Sequence, residues 1–243
     1  MKLDSISLDI DTTYHPDDTD SCNQLRYCLI TTYKCNWDCD YCCVDTHNQP
    51  EPSRERVLEL ANRVQPDSHV TLLGGEPGML EEEMLVTLLE LFEAKNCDVS
   101  VATNGLFFIK FPQHLHRIHR FHYHCSLTLK NTVYQPPNHE ELSIKYLIIV
   151  TDESFPRLDA FLTKNSHIAF TVTAADQHIK VDGTPTTKLS AGNRIKLYQN
   201  FKERIRLDTI DVLFSRNRQT KNCRNIVVQG IPRNPSILQG RKW

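Results

Sequence analysis

Arg26-Tyr27-Cys28-Leu29-Ile30-Thr31-Thr32-Tyr33 runs without a break into Lys34-Cys35-Asn36-Trp37-Asp38-Cys39-Asp40-Tyr41-Cys42. The first eight residues are rich in aromatic and β-branched types, so they predict a strand that opens directly into a cysteine-bearing loop. The same beat returns downstream. His69 to Leu73 is a second strand ended by Gly74-Gly75, and Asp98 to Thr103 is a third closed by Asn104-Gly105. Phe121 to Leu129, Ile144 to Thr151 and His167 to Thr173 complete six. Between them, Pro52-Ser53 starts a helix with Val57, Leu60, Ala61 and Val64 on one face. Met84, Leu85, Leu88, Leu89 and Phe92 form the stripe of a second helix, a His-rich stretch to His119 reads as helical, and Pro156 to Leu162 makes another. Strands alternating with helices predict an α/β fold of parallel β/α units with right-handed crossovers. The cysteine loop then lies at the carboxyl end of the sheet, where such folds place their chemistry.

Alternation within the strands adds a barrel. His122, His124, Ser126 and Thr128 share one face of their strand, and Lys145 with Thr151, then His167 with Thr171 and Thr173, repeat the pattern. Those polar faces predict a wet lumen rather than one packed with Val, Ile and Leu.

A chain of 243 residues with 40% hydrophobic and 24% charged residues buries one sizeable core. The reading divides it into an acidic leader over 1–24, a barrel core over 25–175 and a basic extension over 176–243 that contributes to substrate binding. No run of 18 apolar residues exists and the start is too polar for a signal peptide, so a cytoplasmic protein without a membrane span is expected. The net charge of -2 conceals an asymmetry: from Gly192 to Trp243 twelve Lys and Arg face only Glu203, Asp208 and Asp211. Arg216, Arg218, Lys221 and Arg224 are the densest part of that end and suggest an anionic partner, a nucleotide or nucleic acid, although a charge run is also what a solvated face looks like.

Nine cysteines in a chain of this length, three of them within eight residues, favour metal or redox use over disulfides. Cys35, Cys39 and Cys42 form C-x3-C-x2-C. Three thiolates on one loop can hold three irons of a [4Fe-4S] cube and leave the fourth iron open. Structural zinc is the rival, needing a fourth ligand from Cys43 or a distant His. The five histidines at 114, 116, 119, 122 and 124 resemble a metal box, but helix and strand divide them. His122 and His124, facing the lumen, are candidates for substrate contact or proton transfer.

These motifs resemble the radical S-adenosylmethionine (SAM) enzymes. The hallmark C-x3-C-x-Φ-C, with Φ aromatic, has Tyr41 at Φ; a GGE motif ending the second strand reads Gly74-Gly75-Glu76; Thr103-Asn104-Gly105 matches a third strand ending in TNG. The resemblance covers about Arg26 to Thr173. It implies a partial (β/α)6 TIM-like barrel, a cluster on Cys35, Cys39 and Cys42, and SAM bound at the open iron. Gly74 and Gly75 would let the backbone approach the methionyl amine, Glu76 would accept its N–H bonds, and Tyr41 would lie beside the adenine. Ser126, Lys145 and, more weakly, Thr103 resemble positions contacting the ribose and carboxylate. The cysteine-rich C-terminal extension common in peptide-modifying members is absent.

The implied reaction is reductive cleavage of SAM to a 5'-deoxyadenosyl radical that abstracts hydrogen from a substrate, with flavodoxin or ferredoxin as one-electron reductant. The basic end ranks a nucleotide or a base in tRNA or hypermodified phage DNA first. A peptide-modifying or glycyl-radical-activating enzyme, or one acting on a free small molecule, is the alternative. The 7-carboxy-7-deazaguanine synthases are a poor match, because Asp45-Thr46 is displaced by Cys43-Val44 from where those enzymes carry Asp-Thr. A non-enzymatic iron-sulfur or zinc module stands last.

Overall fold

The computed structural model describes residues 25–42, 44, 46, 48–127, 142–180, 182–201 and 204–207, with the backbone of 7–9 and 227–229. The elements in chain order are β1 (Ser7–Asp9), β2 (Arg26–Thr32), α1 (Arg54–Asn62), β3 (His69–Gly74), α2 (Glu82–Ala94), β4 (Asp98–Thr103), α3 (Leu106–Lys110), β5 (Arg120–Cys125), β6 (Ile144–Val150), α4 (Leu158–Lys164), β7 (Phe170–Ala174), α5 (Ala191–Phe201), β8 (Arg206–Leu207) and β9 (Val227–Gln229). One sheet has the order β1-β9-β2-β3-β4-β5-β6-β7-β8, parallel from β9 to β8, with β1 antiparallel at its edge. Each step from β2 to β7 moves to the next strand in sequence, the mark of β/α units wound in one direction into a partial barrel.

Period decides which side chains go where. Tyr27 and Leu29, Val70 and Leu72, Val99 and Val101, Phe121 and Tyr123, Ile148 and Val150, and Phe170 and Val172 all enter one core with the helices. On the helix side, Val57, Leu60 and Ala61 of α1 and Met84, Leu85, Leu88, Leu89 and Phe92 of α2 are buried, the two stripes expected from sequence. Each large apolar side chain so buried stabilises the fold by about 1.5–3 kcal/mol. Ser53 caps α1 by accepting from the Arg56 N–H at 3.2 Å. At the other end of α1, the Lys95 ammonium donates to the carbonyls of Asn62 and Val64, both at 2.7 Å, satisfying the groups a helix end leaves bare.

Several expectations are corrected. The His-rich stretch is not one helix. α3 stops before Pro112, whose ring disfavours helical backbone at Phe111, and a 3-10 turn over Pro112–Arg117 follows. β7 begins at Phe170 rather than His167, because Asn165–Ile168 is spent in a turn closing α4. Ser7–Asp9, inside the supposed leader, is a strand. Beyond residue 175, Leu189, Leu197, Phe201 and Ile205 belong to the main core, and β8 pairs with β7. Thr128 lies outside the described residues. Among the described helices none is long and apolar enough to cross a membrane.

Candidate active site

β2 delivers the cysteine loop to the carboxyl end of the sheet, and the chain binds that loop down before any of its thiols is reached. Glu51 takes the Thr32 hydroxyl on Oε1 at 2.5 Å and the Tyr33 N–H on Oε2 at 2.8 Å. Gly75 N donates to Thr32 O at 2.7 Å and Glu76 N to Lys34 O at 2.8 Å, so the ladder between β2 and β3 runs on into the loop. Within the loop, Cys42 N donates to Cys39 O at 2.9 Å, Trp37 N to Cys35 Sγ at 3.4 Å, and Trp37 is buried. From far along the chain, Thr187 N donates to Asp40 O at 3.0 Å.

The loop walls a cavity of about 250 Å³, lined also by Gly74, Gly75 and Glu76 from the end of β3, by Ala102, Thr103 and Asn104 from β4, and by Leu73, His124 and Ile149. Cys35, Cys39, Cys42 and Tyr41 all border it. Burial pushes the Cys35 thiol up to about 11, opposed by the Trp37 N–H and reinforced by Glu76, Cys39 and Cys42. Burial, with Cys39 next, holds the Tyr41 hydroxyl well above the usual tyrosine range. None of the six described cysteines is in a disulfide. Among the described residues no three His, Cys, Asp or Glu side chains converge to hold a single metal ion. A four-iron cube asks for a looser donor set, because each thiolate takes a different iron.

The two glycines have another reason than ligand approach. A Cβ at Gly75 would lie 2.1 Å from Lys34 O, and one at Gly74, whose φ is +127°, 2.4 Å from Thr32 O. Their missing side chains are what lets β3 zip against the start of the cysteine loop. Glu76 is likewise committed inside the protein. Only 1% exposed, it accepts from Gly78 N at 2.8 Å and Thr103 Oγ1 at 2.7 Å on Oε1, and from Asn104 N at 2.7 Å on Oε2. Burial raises its pKa in spite of those donors. Through these bonds the carboxylate ties the end of β3 to the end of β4 at the cavity wall. Thr103 shares that task, accepting from Gly105 N at 2.9 Å.

Of the other expected residues, His124 lines the cavity and Lys145 does not. Lys145 is the second residue of β6, in register with His122, while the β6 residue at the cavity is Ile149. Lys145 shares a face of β6 with Ile149 and lies four residues before it. Ser126 is buried just past β5 and is also missing from the lining. Leu73, Ala102 and Ile149 make the lumen beside the cavity largely apolar, where the strand pattern predicts a wet one. Arg216, Arg218, Lys221 and Arg224 lie outside the described residues. Sequence reasoning passed over Glu51, Trp37, Asn36 and Thr187. Of these only Glu51, between two prolines, offered any local signal.

The lumen imidazoles carry a pH signature. Burial is the largest cause in each case, pushing His69 and His124 down to about 4 and His122, with Lys145 adding to it, to about 3. An unfolded imidazole titrates near 6.5, so between pH 6.5 and 4 the unfolded chain takes up protons that the folded one refuses. Stability from these groups is complete above pH 6.5 and lost as pH falls; Glu76 opposes the trend, one group against three. At pH 5 the loss is at most about 2 kcal/mol per imidazole, a few kcal/mol together. Urea midpoints of the metal-free chain at pH 7.5 and 5.0 should differ accordingly, and the gap should shrink in His122→Gln/His124→Gln. An equal midpoint at both pH values would mean that the imidazoles are not held neutral.

Comparison with known proteins bears on this geometry. Residues 29–129 match the radical SAM superfamily. No curated protein matches the chain. Among solved structures, native anSMEcpe with bound AdoMet and Cp18Cys peptide is similar at 14% identity and a TM-score of 0.53, over 76% of this chain and 62% of that one. Streptococcus suis SuiB bound to precursor peptide SuiA is similar at 16% identity and a TM-score of 0.48, over 76% of this chain and 48% of that one. The chain thus spans less than two thirds of either protein's length, and its likeness to the first is one of fold. Motif order and strand-end placement agree with the sequence match, which makes residues 29–129 similar to the radical SAM superfamily.

Proposed function

We propose that Cys35, Cys39 and Cys42 hold a [4Fe-4S] cluster, that SAM occupies the cavity beside it, and that the substrate is a peptide or protein side chain. The observation that carries the first two parts is the gathering of all three thiols, Tyr41 and the ends of β3 and β4 on one cavity wall. When bound, cluster and SAM supply a 5'-deoxyadenosyl radical that takes a hydrogen atom from the substrate, an electron entering from a reductant such as flavodoxin or ferredoxin. The chain's own residues bind and shield. Tyr41 presents an aromatic face to an adenine, and Leu73, Ala102 and Ile149 exclude water from the reacting atoms. His124 is neutral, so it both donates and accepts, and it orients the substrate or takes a proton from it. Ser126 and Lys145 have no part in this reading. The segment after residue 175 does, because Thr187 braces the loop at Asp40.

Two observations favour a peptide. The likeness in fold is to a protein holding both AdoMet and a peptide. Moreover, no Lys or Arg is among the described residues lining the cavity, whereas a phosphate-bearing substrate calls for cations there. The nucleotide reading rested on Arg216, Arg218, Lys221 and Arg224 and passes to second place. The test is release of 5'-deoxyadenosine by anaerobically reconstituted protein with SAM and a chemical reductant. Added peptide mixtures should raise that release and nucleosides or oligonucleotides should not. The reverse order would overturn the substrate, and no release under any condition would overturn the function.

A further inference from the structure

Asn36, the residue directly after Cys35, is exposed, yet its Oδ1 accepts a hydrogen bond of 2.8 Å from Asn104 Nδ2. The donor side of this bond is fixed by the barrel. Asn104 is 5% exposed, its backbone N–H is held by Glu76 Oε2 at 2.7 Å, and its own Oδ1 accepts from Leu106 N at 3.2 Å. Because Oδ1 is engaged with that N–H, the carboxamide has one orientation, with Nδ2 aimed at the cysteine loop. An oriented, desolvated donor on the end of β4 thus grips a loop 68 residues away in sequence. The second grip, Thr187 N to Asp40 O, lies on the far side of Cys39.

We infer that Asn104 is a positioning residue, which through Asn36 holds Cys35 in place and spaces the loop's thiols before any metal arrives. The inference rests on the reading that these thiols hold a cluster. A three-cysteine loop left free would be ordered by the cluster at the cost of the cluster's own affinity; one pinned at Asn36 and Asp40 has lost that freedom on folding.

The loop is first examined metal-free, by the rate at which iodoacetamide alkylates Cys35, resolved by mass spectrometry. Asn36→Leu keeps the volume and removes the acceptor, and alkylation should rise about 3–10-fold, the range of one ordinary hydrogen bond. Asn36→Asp keeps the acceptor and adds a charge that disfavours the thiolate, so its rate should stay at or below wild type. Both changes are at an exposed position, and thermal melts close to wild type would show that folding is intact. In reconstituted protein, loss of iron to a chelator should accelerate by a similar factor in Asn36→Leu alone. A wild-type alkylation rate in Asn36→Leu, or an equal rise in Asn36→Asp, would overturn the inference. Wild-type protein that takes up no iron would instead overturn the cluster reading, and the alkylation arm would still decide the role of Asn104.

Discussion

Alanine at Cys35, Cys39 or Cys42 is expected to remove nearly all bound iron from protein that otherwise takes up about four iron and four sulfide per chain. The expectation follows from count and placement. Three thiols border one cavity, and among the described residues no other cysteine does. With two thiolates left, a cube would have two irons without protein ligands. Iron and sulfide analysis with visible absorption checks each variant. Cys43→Ala is the control, since Cys42 already completes the spacing. Iron retained in Cys42→Ala but lost in Cys43→Ala would move the third ligand by one residue.

Gly75→Ala is the second large effect, and it falls on the fold before it reaches the chemistry. The added methyl would meet Lys34 O at 2.1 Å, Lys34 C at 2.7 Å and Tyr33 C at 2.8 Å, every one a backbone atom. That backbone is held by the Gly75 N to Thr32 O and Glu76 N to Lys34 O bonds, so it cannot yield without opening the join between β3 and the cysteine loop. A cost of about 3–5 kcal/mol is expected, lowering the melting temperature by roughly 10 °C. Gly192→Ala makes the contrast: nothing lies within 4 Å of its added methyl, and it sits in α5. There alanine should be neutral or stabilise by up to about 1 kcal/mol. If thermal melts of the two variants coincide, the join is softer than its geometry implies.

The parts of this fold legible in the sequence were those governed by local period. The stripe from Met84 to Phe92 needed only helical spacing, and the strand before Cys35 only its β-branched and aromatic run. Lys145 shows where that reasoning stops. Alternation puts it on one face with Ile149, but its depth depends on where β6 starts relative to β5, and a register of His122 with Lys145 is a property of two strands that neither states alone. Glu76 shows the same limit in chemistry. Its motif marked it as functional, while the donors that occupy it come from Thr103 and Asn104, more than 25 residues onward. Beside the cavity the polar lumen gives way for a simpler reason: Ala102, Leu73 and Ile149 sit there with His124, and the strands bearing the histidines were read without those facing them.

β9 lies between β1 and β2, pairing Val228 with Leu29. The strand that carries the cysteine loop is thus synthesised well before β9, the neighbour that completes its pairing. Until roughly two hundred further residues have been synthesised, one edge of β2 has unpaired N–H and C=O groups next to three free thiols. Nascent or truncated chains ending before β9 should accordingly be the oxidised, self-associating forms of this protein, and expression that slows late in translation should worsen the yield more than an equal delay near the start.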